Sequence, residues 1–164
     1  MYRNCCLFVI YGDMETSPLM ARLNTENQTE YLLFEEQLFV KIDACTSAHN
    51  YIIAKARANS KIYASEVKKV NSACLSATGE LSQMQVPEDF SYSLKNISQS
   101  TLNEFKKIST NLASFSYNSI GENNETLKRI KTSHDKAVKN MKKTHKMVGL
   151  QDDFPEDKAS FVKF

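Results

Sequence analysis

The sequence predicts an all-α fold, an elongated antiparallel coiled-coil bundle of two or three long helices. Three observations carry that expectation. Only four Gly and three Pro occur in 164 residues, so the chain has few places to turn. Tyr31, Phe34, Leu38, Ile42, Cys45, His49, Ile52, Ala56, Asn59, Tyr63, Val67, Val70, Cys74, Ala77 and Leu81 follow one another in helical steps of three or four. A second stripe, from Phe90 through Leu94, Ile97, Thr101, Phe105, Ile108 and Leu112 to Phe115, resumes at Ile120 and runs to Val148. With 24% charged and 41% apolar residues the composition is that of an ordinary globular domain, and the length suits one domain.

Residues 1–30 are expected to be an apolar or flexible leading segment. The run at residues 5–11, "CCLFVIY", follows Arg3. It is too short to span a bilayer, which takes about 20 residues, and no small-residue cleavage pattern follows it. A short buried strand or an unstructured tail is the expectation, with S-acylation of Cys5 and Cys6 as the functional alternative.

Residues 31–148 form the helical domain. Its first stripe has no internal Pro and is interrupted only by the polar His49 and Asn59, so it reads as one helix. Extra apolar residues beside it (Leu33, Phe39, Val40, Ile53, Ile62) widen the buried face beyond a two-stranded seam. The chain should turn at residues 79–89, where Pro87 opens a new helix and Glu88 and Asp89 complement its dipole. "NSIGENNET", around Gly121, is expected to be a kink, because the stripe threads through Asn123 without a change of phase. Two helices of about 80 Å with wide apolar faces make a poor monomer, so a homodimer or a helical partner is implied. Residues 149–164, acidic and then apolar, look like a loosely attached end.

Cys5, Cys6, Cys45 and Cys74 show no CxxC spacing. On one straight helix Cys45 and Cys74 would lie roughly 43 Å apart and could not bridge. A reducing compartment is then the simpler reading. Three glycosylation sequons, at Asn27, Asn96 and Asn124, carry little weight in a chain so rich in Asn, Ser and Thr.

No catalytic constellation emerges. His134 and His145 are eleven residues apart, too far to share a metal. Cys45 and His49, at i and i+4, lack a third local ligand. Glu35, Glu36 and Asp43 form no isolated carboxylate pair, and there is no Gly-rich phosphate loop. A non-enzyme with no cofactor and no metal is the expectation.

The remaining signal is charge. Net charge is only +2, yet residues 126–148, "TLKRIKTSHDKAVKNMKKTHKMV", carry eight Lys or Arg against the single acid Asp135. Lys128, Lys131, Lys139, Lys142 and Lys146 project to one side of a helix. The stretch has no interleaved aromatics, which argues against specific nucleic-acid binding, and acidic membrane lipid is the leading partner.

Lys61-Ile62-Tyr63-Ala64, followed by Val67 and Val70, is similar to the aromatic-Ala-x-x-aliphatic-x-x-aliphatic pattern of an early core helix in the membrane-bending BAR superfamily and its F-BAR branch. The Lys-rich "IKTSHDKAVKNMKKTHK" resembles the basic coiled-coil helix that follows there. The likeness spans roughly residues 31–148. It departs from the F-BAR signature at Ser60, where that signature has an acid, and a further long helix of the family has no counterpart. The resemblance implies a curved antiparallel dimer, cytoplasmic and peripheral to the membrane, whose acidic phospholipid contacts fall to Lys128, Arg129, Lys131, Lys139, Lys142 and Lys146. Two alternatives stay open: a coiled-coil subunit or adaptor of a cytoplasmic complex, and a secreted helical bundle with glycans.

Overall fold

The computed structural model describes residues 18–120, 124–150 and 152–164. The segment holding Cys5 and Cys6, and Gly121 with Asn123, lie outside the described residues. Among the described residues five helices follow in order: α1 (Pro18–Arg57), α2 (Ala64–Gln83), α3 (Tyr92–Ala113), α4 (Glu125–Met147) and the short α5 (Glu156–Ala159). A 3-10 turn at Tyr117–Ser119 lies between α3 and α4, and no strand occurs among the described residues.

The fifty-residue helix expected over residues 31–81 is therefore two helices, and Asn59 is where they part. It holds a left-handed backbone, φ 56°. Around it Asn59 N–H donates to the Ala56 carbonyl (3.2 Å) and Ser60 N–H to the Lys55 carbonyl (2.9 Å), the paired bonds of a Schellman cap. Lys55 and Arg57 place cations in the last turn, where the dipole favours them. The chain restarts at Tyr63, whose N–H is accepted by Glu66 Oε1 at 2.9 Å. Tyr63, the aromatic of the BAR-like motif, is thus a helix cap that is 52% exposed rather than a core residue.

α1 and α2 run in opposite directions, because partners descend along one as they ascend the other: Lys41 with Glu80, Cys45 with Cys74, Lys55 with Glu66. The disulfide Cys45–Cys74 corrects the expectation that these two residues are too far apart to bridge, and with it falls the argument for a reducing compartment. The single-helix premise was at fault, since a reversal brings the two Cα atoms to 4.5 Å. Pro87 and its two acids belong to a linker, and α3 begins later, capped by Ser91 Oγ on the Leu94 N–H (3.3 Å). α3 and α4 are again opposed, with Ser100 bonded to Asn140 and Glu104 paired with Lys136. α1 and α3 run alike, through Phe34 with Phe90, Phe39 with Phe105 and His49 with Phe115. The helix expected to run on through a kink near residue 121 is instead two helices, since α3 has ended at Ala113 and α4 starts afresh from its Asn124 cap.

The apolar stripes converge on one core within a single chain, including Tyr31, Leu38, Ile52, Leu81, Phe105 and Met141. Their burial removes the reason for regarding the monomer as incomplete. α1 and α4 scarcely approach one another through their backbones, and the C-terminal segment fills the space between them. Phe161 stacks on Phe105 (centroids 5.0 Å), meets the edge of Phe39 (5.3 Å) and lies against His134 (4.8 Å). Asn50 holds the backbone beside it, donating to the Phe161 carbonyl (3.0 Å) and accepting from the Lys163 N–H (2.8 Å). The end expected to be loosely attached is thus part of the core.

Two outcomes follow for equilibrium urea unfolding. Phe161→Ala should lose about 3–5 kcal/mol, since it removes a buried aromatic ring from rigid neighbours. Replacing both Cys45 and Cys74 by Ala should cost about 3–4 kcal/mol, the loop-closure entropy restored to the unfolded chain over the 29-residue separation. A change under 1 kcal/mol in either case would contradict the packing described.

Candidate functional site

α4 displays its basic residues on the surface: Lys128, Arg129, Lys131, Lys136, Lys139, Lys142, Lys143 and Lys146 are all exposed. They do not form one continuous stripe. Asp135 interrupts it and pairs with Lys131 (3.5 Å), whose ammonium also sits over the Phe164 ring at 5.3 Å. Lys136 pairs with Glu104 of α3 (3.5 Å), and Arg129 donates to Thr126 (3.1 Å). Lys128 and Arg129 remain at the N-terminal end, about 16 Å from Lys139 along the axis.

Lys139, Lys142, Lys143 and Lys146 gather in the C-terminal half of α4, with Lys146 in its last turn at the negative end of the dipole. None of the four enters an ion pair among the described residues; the acids that pair nearby are committed to Lys131, Lys136 and Lys158. Together with Asp135 and Val138 they line an open cleft of about 710 Å³ whose far wall is Glu156 and Ala159 of α5. Lys142 and Lys146 also border a second cleft, of about 630 Å³, with His145, Leu150, Asp152, Asp153 and Phe154. The structure therefore keeps Lys139, Lys142 and Lys146 together, adds Lys143, and separates Lys128, Arg129 and Lys131 from them.

Behind this face lies a buried polar knot. The Glu35 carboxylate is fully enclosed and accepts three bonds: from Tyr31 Oη (3.1 Å), His145 Nε2 (2.8 Å) and Lys158 Nζ (2.9 Å). Burial alone would raise its pKa, but the hydrogen bonds and charges of His145 and Lys158 outweigh that and hold it below the ordinary carboxylate value. Burial, with Glu35 alongside, pushes the Tyr31 phenol up. The knot ties α1, α4 and α5 together. From the sequence Glu35, with Glu36 and Asp43 nearby, forms no isolated carboxylate pair and is expected to have no special role. Its signal was position, one turn after Tyr31 and inside the apolar stripe.

Cys45 and His49, one turn apart on α1, are both engaged within the fold. Cys45 is bonded to Cys74, and both nitrogens of His49 are occupied. Nε2 faces the Lys163 carbonyl (3.0 Å), which can only accept, so Nε2 carries the proton and Nδ1 accepts from the Tyr117 hydroxyl (2.7 Å). Burial lowers the His49 pKa to about 4. His134 contacts Asp135 through Nδ1 (3.0 Å), while its Nε2 is buried without a partner, and burial lowers its pKa as well. No three His, Cys, Asp or Glu side chains come together in metal-binding geometry among the described residues. No helix among them is long and apolar enough to cross a membrane.

Comparison with family profiles, with curated proteins and with solved structures gives no match to this chain.

His49 makes folding sensitive to mild acid. Its folded pKa is below its unfolded value of 6.5, so the unfolded chain binds the extra proton and stability falls as pH drops. The contribution is complete above about pH 6.5 and lost by about pH 4, a change of about 3 kcal/mol. Glu35, whose pKa is also depressed, adds a loss in the same direction at lower pH. Urea midpoints measured from pH 7 to pH 4 should decline steeply for the native chain and more gently for His49→Gln. Parallel curves for the two would refute this assignment.

Proposed function

We propose that the chain is a non-enzymatic helical module that binds an anionic phospholipid surface through the C-terminal half of α4. The observation that carries the reading is the cluster of Lys139, Lys142, Lys143 and Lys146, exposed together and in no ion pair among the described residues. Each contributes about 1 kcal/mol near an acidic membrane. Met147, 44% exposed and one turn on from Lys143, adds an apolar group beside the cations, a combination that suits an interfacial site. Of the wider set suggested by the BAR resemblance, Lys128 and Arg129 contribute at a distance, and Lys131 is already paired with Asp135. The burial of the apolar stripes within one chain means that the lipid contact does not depend on a curved dimer. The Cys45–Cys74 disulfide supports an oxidising compartment in preference to the cytoplasm.

A second reading, docking of a helical protein partner, is favoured by one observation. Leu33, Val40 and Tyr51 lie exposed (59%, 61% and 58%) along one side of α1.

Co-sedimentation with liposomes separates the two. Binding should require acidic lipid, weaken with salt, and fall by about a hundredfold or more when Lys139, Lys142, Lys143 and Lys146 are all changed to Glu. Lys128→Glu with Arg129→Glu should have the smaller effect. Equal binding to neutral vesicles, or indifference to the fourfold reversal, would overturn the lipid reading. A protein complex lost in Leu33→Asp/Val40→Asp but kept in the fourfold reversal would favour the second.

A further inference from the structure

α3 contains a hydroxyl that the fold does not use. Ser98 is 0% exposed, and its Oγ has no hydrogen-bond partner. Elsewhere in the helices Thr46, Thr78, Thr101, Thr132 and Thr144 all return their hydroxyls to the carbonyl four residues back. A buried hydroxyl left unpaired destabilises the folded state, and alanine at the same place would not. Ser98 is also the third residue of Asn96-Ile97-Ser98, a pattern in which the hydroxyl is required for attachment of sugar to the asparagine.

We propose that Asn96 carries an N-linked oligosaccharide, and that Ser98 keeps its hydroxyl for this reaction and not for the fold. Asn96 is exposed on the second turn of α3, and its carboxamide makes no hydrogen bond among the described residues. Its neighbour one turn back, Tyr92, is 81% exposed and offers an aromatic face to the first sugar. The other two sequons are less open: Asn124 is half-buried and caps α4 by accepting from the Leu127 N–H (2.9 Å), and Asn27 is half-buried on α1. The second, independent observation is the Cys45–Cys74 disulfide, which forms in the compartments where such transfer occurs.

The donor is an oligosaccharide linked through a diphosphate to a polyprenol. The Asn96 amide nitrogen bonds to C1 of the first sugar and loses one proton. The C1–oxygen bond to the diphosphate breaks, and the polyprenyl diphosphate leaves with the electron pair. Because Ser98 is enclosed in the folded chain, transfer precedes the packing of α3 against its neighbours.

The proposal is independent of the lipid reading and is tested apart from it. The full chain, placed behind a cleavable secretory leader in eukaryotic cells, is recovered from cells and medium together and analysed by peptide mass spectrometry. The Asn96 peptide should carry the mass of one N-glycan, removed by peptide N-glycosidase and missing in both Asn96→Gln and Ser98→Ala. Unglycosylated Ser98→Ala from bacteria should unfold at the same urea concentration as the native chain or a higher one. An unmodified Asn96 in disulfide-bonded protein would overturn the proposal. So would a lowered midpoint for Ser98→Ala, which would assign the hydroxyl to the fold.

Discussion

Asn59 takes a left-handed backbone conformation that ends α1 through two carbonyl bonds and sends the chain back along itself. Everything beyond it depends on that reversal. It sets Cys74 against Cys45 and lays the stripe of α2 on the stripe of α1. Once α2 is returned, α3 has a surface to pack on, and α4 packs on α3 in turn. A continuous helix through residues 58–63 would leave both stripes facing water along most of their length. Asparagine is one of the few residues other than glycine that visits this conformation at tolerable cost, since its short carboxamide can bond locally.

The stack so formed is open on one side, where α1 and α4 stand apart, and different forces close it at different heights. At one level Phe161 supplies apolar area between Phe39, Phe105 and His134. Nearby, Asn50 and His49 satisfy backbone groups of the returning segment, which would otherwise be enclosed unpaired. At another level Glu35 gathers a tyrosine, a histidine and a lysine from three elements. This last contact also shapes the basic face, because fixing His145 fixes the turn of α4 from which Lys142 and Lys146 project.

The buried faces were largely legible in the sequence. From Tyr31 to Ile52, every member of the stripe is buried in the structure, including the polar His49. The difficulty lay at the turns. α4 ends in the same Schellman geometry as α1, with Gly149 at φ 84°, and there the glycine made the stop readable. At Asn59 the same geometry is built on a residue that fits the stripe's spacing, so it passed for an interruption. The disulfide was lost with that turn, since its distance depends on the reversal alone. The role of residues 154–164 was hidden for another reason: their hydrogen bonds to α1 reach positions more than a hundred residues away, which no local periodicity records. The basic cluster was visible as composition, but only the placement of Asp135 and Glu104 shows which cations of α4 are paired.

The disulfide also divides the molecule into parts of unequal persistence. The α1–α2 hairpin is joined covalently near its middle and by the Lys55–Glu66 contact near its turn, so thermal opening cannot separate its two arms there. α3 and α4 have no such tie, and residues 154–164 are held by side-chain bonds and one intercalated ring. Amide exchange would accordingly rank the molecule from its C-terminal strap, opening most often, to the oxidised hairpin, whose amides exchange only when the whole chain unfolds. The hydrogen bonds that hold the strap to the helices come from Glu35, His49 and Asn50 of α1, so each brief release uncovers the core where the backbones of α1 and α4 scarcely approach one another.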